Sequence, residues 1–530
     1  MTVCDPCTPT REYSKHIYYG LTKGLCRVCK GSVDVKIQFE DDKVYFAKFC
    51  PAHGHERVVV ANSVAWYVDA LSFVSPHTPP KQPKPVDKGC PFDCGPCASH
   101  QQKTYMPVVP ITSACNLDCP ICYTVNKNED AHMLSNEGFQ RILDALKTQH
   151  EDLDIINFTG GEPTLHPRLP ELLRMARAAG IRRLTVSTNG LKLKDPEYVK
   201  ALAEADARIV LSLDTFDPVV DQAMLGANTV KHKLAVLDLL EQHDVTTTIL
   251  PAVALGLNDK DVPRLLELVL TRPNICSLEI HTLTFTGQGG VGFTRTARIT
   301  IPDVHRLIGE ATNGKVRPED FVPSPLAHPH CYSICYLLML DGGGFVPFTH
   351  FMPRGTLYEL LGESIYIQPR EKVEEALRTA MDEIFANPGK LPEADAVLAT
   401  LKRLLREMFP RTGALPLADR QRIAERASKA IYIHSHMDEE TFDVARVMKC
   451  SVGVPEEDGS NIPTCSYNVL YREKDKRFAG DDMLSRMDAT GAAQRVGTGR
   501  RLPLVPQSSQ SSQSSAAAPA STTVSAKVPR

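Results

Sequence analysis

Residues 108–122, Val-Val-Pro-Ile-Thr-Ser-Ala-Cys-Asn-Leu-Asp-Cys-Pro-Ile-Cys, decide the fold of this chain. A short apolar run at 108–112 predicts a buried strand. Cys115, Cys119 and Cys122 follow it directly, and three thiolates in one loop can hold an iron–sulfur cluster. Three thiolates for four irons leave one iron open. The segment therefore predicts a strand whose carboxyl end carries a [4Fe-4S] cluster.

The following 170 or so residues alternate short apolar runs with longer amphipathic ones. One of the helical runs begins after Ser135, a good N-cap, and carries apolar residues at helical spacing up to Gln149. Six strand–helix units in this order predict an α/β fold with a parallel sheet, either open or closed into a partial barrel. Reactive groups then gather at the carboxyl ends of the strands. The predicted strands are 108–112, 155–159, 184–188, 209–213, 247–253 and 278–283.

Both ends of the chain carry further cysteine-bearing segments. Near the N-terminus, Cys26 and Cys29 precede two β-rich runs at 33–39 and 44–49, and Cys50 with His53 closes the hairpin. Such a hairpin buries little surface, so a metal ion joining its ends is expected. Beyond residue 300 the pattern predicts strands around a Gly-rich turn in 331–348, and helices at 370–388, 394–408 and 418–432.

These segments predict five regions along the chain. The tail has almost no large apolar residues and cannot offset its own ordering entropy, so disorder is expected there. The predicted regions are a rubredoxin- or zinc-ribbon-like module (1–75), a linker with cluster cysteines (76–107), the barrel (108–320), an auxiliary iron–sulfur region with helices (321–480) and a disordered tail (481–530).

Composition narrows the class of protein. The 530 residues carry a formal charge of −3, which gives no general reason to expect nucleic acid or an anionic membrane as a partner. No apolar run reaches eighteen residues and no signal-peptide pattern opens the chain, so a cytoplasmic protein without a membrane span is expected. The 16 cysteines are mostly clustered, and in a reducing compartment clusters favour metal ligation over disulfides.

A second motif, Phe158-Thr-Gly-Gly-Glu-Pro-Thr164, follows the second predicted strand. Gly160 and Gly161 allow close backbone approach, and Glu162 can accept hydrogen bonds from an ammonium group. In isolation the segment is an ordinary turn, but its place one β–α unit after the cysteine motif favours binding. Polar residues, for which turn capping is the alternative, also end the third and fourth predicted strands: Ser187, Thr188 and Asn189, then Ser212 and Asp214.

The CxxxCxxC motif followed by Gly-Gly-Glu resembles the radical S-adenosylmethionine (SAM) superfamily and its partial (β/α)6 barrel. The resemblance implies that Cys115, Cys119 and Cys122 hold a [4Fe-4S] cluster whose open iron binds SAM. One electron then yields methionine and a 5′-deoxyadenosyl radical that takes hydrogen from the substrate. The alternative is an electron-transfer or structural cluster with a fourth cysteine. The resemblance places these residues at SAM: Tyr123 by the adenine, Gly160, Gly161 and Glu162 at the amino group, and Ser187, Asn189, Ser212 and Asp214 at the ribose and carboxylate.

The other cysteines suggest further metal centres. A second CxxxCxxC, with Cys90, Cys94 and Cys97, lacks a following Gly-Gly-Glu, which predicts an auxiliary cluster or alternatively a zinc site. Its fourth ligand could be exogenous or a distant Cys276, although a lone strand cysteine is more often a buried apolar side chain. The remaining sets are Cys331, Cys335, Cys450 and Cys465 for one closed [4Fe-4S] cluster, Cys26, Cys29 and Cys50 with His53 or another cysteine for one zinc or rubredoxin-like iron, and Cys4 and Cys7 as ligands or bystanders.

The order of these motifs over roughly residues 20–475 resembles one radical SAM subfamily. The late segment Ile462-Pro-Thr-Cys-Ser-Tyr-Asn468 completes the series. That subfamily includes archaeal tetraether lipid synthase and the class D methyltransferases that methylate methanopterin. The resemblance implies a synthase or methyltransferase, a transferase that forms carbon–carbon bonds at unactivated carbons by lipid-tail coupling or by methyl or methylene transfer.

Two other functions remain open from the sequence. One is a radical SAM oxidase or maturase of a peptide or small molecule, with auxiliary clusters as electron acceptors. The other is a non-catalytic iron–sulfur scaffold or redox sensor, which the complete Gly-Gly-Glu motif disfavours. Expected partners are a low-potential electron donor, flavodoxin or ferredoxin, and a small-molecule or lipid substrate. His281, Tyr332 and Tyr467 are candidates for the barrel mouth, although core packing is commoner for such residues.

Overall fold

An antiparallel sheet opens the part of the chain that the computed structural model describes. That part is residues 15–478 apart from 96, 125–127, 129, 151–152, 290–292, 294 and 296–297, so the predictions for Cys4, Cys7 and the tail lie outside it. The sheet contains β1 (Ile17–Leu25), β2 (Ser32–Glu40), β3 (Lys43–Cys50) and β4 (Gly54–Ala61), in that order, and α1 (Val64–Leu71) follows. The sequence predicted only β2 and β3, because β1 is mostly exposed and lacks a buried alternation.

Six parallel strands form the centre of the molecule, which confirms the predicted α/β fold with six strand–helix units. They pair in the order β5-β6-β7-β8-β9-β11, and an apolar core fills the space between them and their helices. The six strands are β5 (Met106–Thr112), β6 (Ile155–Gly160), β7 (Arg183–Thr188), β8 (Ala207–Ser212), β9 (Thr247–Leu250) and β11 (Ile275–Thr282), and the short β10 (Ala252–Val253) also pairs with β11. The helices are α2 (Asn136–Gln149), α3 (Leu169–Ala178), α4 (Pro196–Glu204), α5 (Pro218–Leu225), α6 (Val230–Gln242), α7 (Val262–Thr271) and α8 (Ile301–Ala311).

The first of these helices illustrates how the sequence builds a unit. The Ser135 hydroxyl accepts a hydrogen bond from the Gly138 N–H at 3.0 Å, which satisfies one free donor of the first turn. Phe139, Ile142 and Leu143 are buried against the sheet. Each such side chain contributes about 1.5–3 kcal/mol by leaving water. Capping and an apolar face together therefore set where α2 starts and which side it buries.

One predicted strand is interrupted. Residues 247–253 were predicted as a single strand, but the structure has β9 and β10 on either side of Pro251. Proline has no N–H to donate to a neighbouring strand. The interruption therefore has a local cause that the apolar run did not reveal.

Segments from the C-terminal half extend the same sheet at both edges. β15 pairs in parallel with β11, β13 pairs antiparallel with β15, and β16 pairs in parallel with β5. The remaining strands are β12 (Val322–Pro323), β13 (Tyr332–Met339), β14 (Phe345–Pro347), β15 (Ser428–His434), β16 (Val452–Pro455) and β17 (Asn461–Pro463). The remaining helices are α9 (Arg354–Leu360), α10 (Glu371–Ala386), α11 (Ala394–Met408), α12 (Leu417–Ala427), α13 (Val444–Met448) and α14 (Thr464–Ser466).

The predicted helix at 418–432 is wrong in its second part. Helix α12 ends at Ala427, and the next residue begins strand β15. Ile431 and Ile433 are fully buried because β15 lies between β11 and β13. A short apolar run buried in this way cannot be told from a helical segment by periodicity.

The N-terminal sheet is joined to the C-terminal segment by buried polar contacts. The Lys48 ammonium, on β3, donates to the carbonyl oxygens of Leu25 at 3.0 Å and Glu440 at 2.7 Å. The Thr22 hydroxyl donates to Asp443 at 2.6 Å. The N-terminal sheet therefore packs against the segment around Glu440. None of the helices in the described part of the chain is long and apolar enough to cross a membrane.

Candidate functional site

The cysteine loop follows β5 at the carboxyl edge of the parallel sheet. The Cys122 N–H donates to the Cys119 carbonyl at 2.9 Å, and the Cys115 N–H donates to the Asn128 side chain at 2.9 Å. Burial, and less strongly the neighbouring thiol of Cys122, raise the pKa of Cys115 to about 12, and burial with the other two thiols also raises the pKa of Cys119. A buried thiol gives up its proton only when a positive charge such as iron replaces it. The loop therefore fits metal ligation.

Two glycines allow the end of β6 to approach this loop. A methyl group on Gly160 would lie 2.2 Å from the Thr112 carbonyl oxygen, and one on Gly161 would lie 2.2 Å from the Ala114 carbonyl oxygen. Gly160 also has a φ of +152°, which L side chains rarely adopt. No other residue fits at these positions without displacing the strand end that precedes the cysteines. The Gly-Gly pair is therefore required by packing in this fold.

Glu162 joins the ends of two strands. Its Oε1 accepts from the Thr164 N–H at 3.0 Å, the Thr164 hydroxyl at 2.6 Å and the Thr188 hydroxyl at 2.7 Å. Its Oε2 accepts from the Asn189 N–H at 2.8 Å. The side chain is 1% exposed, and burial raises its pKa. The contact to the SAM ammonium stays a prediction, and Oε2, with one protein donor, has the capacity for it.

Asp214 and Lys233 place unpaired polar atoms beside the cysteine loop. Asp214 Oδ1 accepts from the Ala252 N–H at 2.8 Å, whereas its buried Oδ2 and the buried Lys233 Nζ have no hydrogen-bond partner among the described residues. Both charges act on the pKa of Cys119. Buried polar atoms are costly when unpaired. A zwitterionic ligand such as SAM fits this part of the sheet edge.

The other predicted SAM residues lie at the same edge. The Ser187 hydroxyl donates to Asn157 at 3.0 Å, and the Asn189 amide donates to Asn116 in the cysteine loop at 2.8 Å. Ser212 is half-buried at the end of β8. Tyr123 is 37% exposed, and its ring lies 6.0 Å from that of His436. The structure brings these residues to one edge, while their contacts to SAM stay predictions.

The N-terminal set forms a compact group of four ligands. One ligand atom from each of Cys26, Cys29, Cys50 and His53 lies within 4.8 Å of the others. His53 Nδ1 is 3.5 Å from Cys26 Sγ and 3.4 Å from Cys50 Sγ. The hydrogen bond with His53 lowers the pKa of Cys50 to about 6, which favours its thiolate. Three sulfurs and one imidazole suit a tetrahedral zinc or iron ion.

The second CxxxCxxC loop is anchored to the C-terminal segment. The Cys94 N–H donates to the Tyr471 hydroxyl at 3.2 Å, and that hydroxyl donates to the Pro91 carbonyl at 3.1 Å. Cys90 and Cys94 pack against the apolar cluster that contains Cys465. The neighbouring thiols raise the pKa of Cys90. Two predicted cysteine sets therefore lie next to each other in the fold.

The set predicted for the C-terminal cluster has one wrong member. The pKa of Cys450 is raised by burial and then by Cys465 and Cys331, so these three thiols lie together. Cys335 is fully buried in the barrel core with Leu337 and Ile431 instead. Cys335 lies within strand β13, whereas Cys331 directly precedes it, and four residues of extended chain span about 13 Å. Separation by four residues therefore did not mean proximity in space.

Cys276 is also separated from the other cysteines. It lies near the amino end of β11, with its Sγ 3.9 Å from the Thr248 hydroxyl. It lines an apolar cavity together with Tyr336 and Tyr432. Cys90 and Cys94 pack instead against the apolar cluster that contains Cys465 and Val469. The structure therefore does not bring Cys276 to Cys90, Cys94 and Cys97.

Sequence reasoning missed several residues at the barrel mouth. Lys233, His434 and His436 were not among the candidates, and no spacing signal marks them. His281 and Tyr332, named as candidates, lie beside His434 through strand pairing. Tyr467 is 1% exposed and donates to Asp475 at 2.7 Å, so it belongs to the core. The pairing of β11, β13 and β15 is what brings His281, Tyr332 and His434 together.

Comparisons with known proteins agree with this arrangement. Residues 109–269 match the family described as the radical SAM superfamily, and residues 18–62 match the family described as the HMPTM N-terminal zinc ribbon domain. The first range includes the cysteine loop, the Gly-Gly-Glu segment and the ends of β5 to β8. The chain contains a radical SAM domain and is a radical SAM enzyme.

Three similar proteins differ in how much of this chain they match. The 7,8-dihydro-6-hydroxymethylpterin dimethyltransferase of Methanocaldococcus jannaschii is 28% identical over 481 residues, covering 86% of this chain and 94% of the relative. GTP 3′,8-cyclase of Chlorobaculum tepidum is 32% identical over 163 residues, covering 30% and 48%. Streptococcus suis SuiB bound to S-adenosylmethionine is 18% identical with a TM-score of 0.33, covering 40% and 48%, an overlap too limited for functional argument.

Proposed function

We propose that this radical SAM enzyme transfers a methyl or methylene group to carbon in a pterin-type heterocycle, forming a carbon–carbon bond at an unactivated carbon. The similarity to a pterin dimethyltransferase over 94% of that protein's length supports this substrate class most strongly. That match covers 86% of this chain and so extends well beyond the barrel, and residues 18–62 match the HMPTM N-terminal zinc ribbon domain. The GTP 3′,8-cyclase of Chlorobaculum tepidum matches over a much shorter stretch.

In this proposal Cys115, Cys119 and Cys122 hold the [4Fe-4S] cluster at the end of β5. When bound, the cluster and SAM supply the one-electron cleavage that gives methionine and a 5′-deoxyadenosyl radical. The chain positions these groups through the close approach of Gly160 and Gly161 to the loop. The unpaired Asp214 and Lys233 atoms provide opposite charges beside it.

The barrel mouth supports a flat substrate. The Tyr332 ring stacks on His434 with centroids 3.9 Å apart, and the Tyr123 ring lies 6.0 Å from that of His436. Planar heterocycles stack favourably on such rings. The arrangement therefore suits a pterin better than a flexible alkyl chain.

The remaining cysteines have auxiliary roles in the proposal. Cys90, Cys94 and Cys97 hold one auxiliary cluster, Cys331, Cys450 and Cys465 hold a second, and the Cys26, Cys29, Cys50 and His53 group holds zinc or iron. Electrons come from a low-potential donor such as flavodoxin or ferredoxin, since reducing the SAM-binding cluster requires a low potential.

The test starts from protein reconstituted anaerobically with iron and sulfide. SAM in excess, dithionite, 7,8-dihydro-6-hydroxymethylpterin and a methylene-tetrahydropterin are added, so that a second SAM can serve as methyl donor and the tetrahydropterin as methylene donor. The amount of 5′-deoxyadenosine and the mass of the pterin are then measured. We expect deoxyadenosine and a pterin heavier by one or two methyl groups. Cys119→Ala should make neither product. Cys276→Ala, which removes a buried thiol far from the loop, is the matched control and should retain both.

The products discriminate between the functions. Deoxyadenosine with an unmodified pterin would reject the pterin substrate and direct the search to lipid chains. A pterin or peptide that loses two hydrogens without gaining carbon would identify an oxidase. Iron-loaded protein that never cleaves SAM would favour a scaffold or sensor.

A further inference from the structure

Three histidines converge at the barrel mouth outside every cysteine set. His281 and His434 are paired residues near the carboxyl ends of the parallel strands β11 and β15, and His436 follows two residues later. One ring nitrogen from each lies within 4.8 Å of the other two. The ring centroids are 4.0–5.2 Å apart. Neither the SAM site nor the proposed clusters use these side chains.

Neighbouring groups orient two of the rings. Glu279 Oε1 lies 3.1 Å from His281 Nε2, so the other ring nitrogen, Nδ1, faces away from Glu279. A carboxylate on the far nitrogen is the usual support of a metal-binding histidine. Tyr332 stacks on His434 and fixes the plane of its ring. The group therefore has the supporting contacts of a built site.

The three rings lie close enough to share one ion. A ring nitrogen without a proton offers a free electron pair to a cation. Three such ligand atoms, all within 4.8 Å of one another, suit a single metal ion.

We propose that His281, His434 and His436 bind one divalent transition-metal ion, Zn²⁺ or Fe²⁺. Imidazole ligands favour these ions, and three protein ligands leave a position open for another ligand. His281 and His436 are only half-buried, so the open position is reachable from the barrel mouth. An ion there would orient a substrate through an oxygen or nitrogen atom beside the SAM site.

One competing role belongs to His436 alone. Its Nδ1 lies 3.8 Å from Cys465 Sγ, so it could instead be the fourth ligand of a cluster on Cys331, Cys450 and Cys465. That arrangement would leave His281 and His434 without a metal. The two possibilities predict different losses of metal, because a cluster contains iron and sulfide and the three-histidine site contains one ion.

The experiment counts metals in the full-length, cluster-reconstituted protein. Every sample carries Cys29→Ser to remove the N-terminal site. Each is equilibrated with Zn²⁺, treated with a weak chelator and analysed for zinc, iron and sulfide. We expect one zinc per chain in this background, and none in His281→Gln or His434→Gln with iron and sulfide unchanged. Zinc K-edge absorption should report nitrogen and oxygen ligands without sulfur.

His305→Gln is the matched control. His305 is fully buried, bonds to the Ser333 hydroxyl at 2.8 Å and lies outside the group, so this variant should keep its zinc. Equal zinc in all variants, or sulfur ligands at the zinc, would overturn the proposal. Loss of iron and sulfide in His436→Gln, with zinc unchanged in His434→Gln, would overturn it in favour of the cluster role. None of these readouts depends on SAM cleavage.

Discussion

At the scale of single residues, the site depends on contacts that allow no extra atoms. Gly161 has the Ala114 carbonyl 2.2 Å from the position of a Cβ, whereas Gly355 in α9 has nothing within 4 Å. A glycine-to-alanine substitution is therefore blocked by the backbone at Gly161 and has free space at Gly355. Cys450 and Cys335 form a similar contrast, because one lies with other thiols and the other in the core.

Gly161→Ala should disrupt the cysteine loop, because the new methyl group would collide with the backbone before Cys115. We expect loss of about four iron atoms per chain and of deoxyadenosine formation, measured by iron analysis and chromatography. Gly355→Ala, in an open helical position, should keep both and gain up to about 1 kcal/mol of stability. Full iron in Gly161→Ala would show that the loop can shift.

Cys450→Ala should lose one auxiliary cluster, because it removes one of the three adjoining thiols. Iron should fall by about four atoms per chain, together with the sulfide. Cys335→Ala should keep all iron and only destabilise the core, by about 1–2 kcal/mol. Iron loss from Cys335→Ala would restore the four-cysteine set predicted from the sequence.

At the scale of elements, the junction of α12 and β15 is held by one carboxylate. Glu425 pairs with Arg183 on β7 and Arg208 on β8, both at 2.6 Å. Burial alone would raise the pKa of Glu425, but the two arginines lower it to about 2. These two ion pairs link the end of helix α12 to the amino ends of strands β7 and β8.

Glu425→Gln should cost about 3 kcal/mol at neutral pH, because two buried guanidinium groups lose their counter-ion. The wild-type contribution is complete above about pH 4.5, the unfolded value, and is lost as the pH falls toward 2. Urea unfolding across this range should show the two proteins converging at low pH. Glu407→Gln, which removes an exposed pair with Arg403, is the control and should cost less than about 1 kcal/mol.

At the scale of the whole molecule, the two cysteine-rich ends lie together against the barrel. Lys48 is 4% exposed and donates to carbonyl groups from both the N-terminal sheet and the segment around Glu440. Gly24 permits this contact, because a Cβ there would lie 2.5 Å from the Phe442 carbonyl. The N-terminal metal module therefore packs directly against the segment around Glu440.

Lys48→Met should weaken this docking, because it leaves buried carbonyl groups unpaired at a cost of about 1–3 kcal/mol each. Hydrogen exchange should rise in β1 and in residues 437–443, while exchange in β6 and β7 stays unchanged. Lys43→Met, an exposed change on the same strand, should alter neither. Uniform exchange changes across the barrel would mean that the module is not a separate unit.

Sequence patterns were sufficient to predict the six strand–helix units, the SAM-type cysteine loop with its Gly-Gly-Glu partner, and the N-terminal four-ligand set. These features depend on local spacing, which apolar periodicity and ligand intervals report directly. The three-dimensional fold was needed to show that Cys335 and Cys276 lie away from the other cysteines and that β15 continues the sheet. It also brought His281, His434 and His436 together. Their strands are distant in the chain and meet through pairing and burial, which no local pattern encodes.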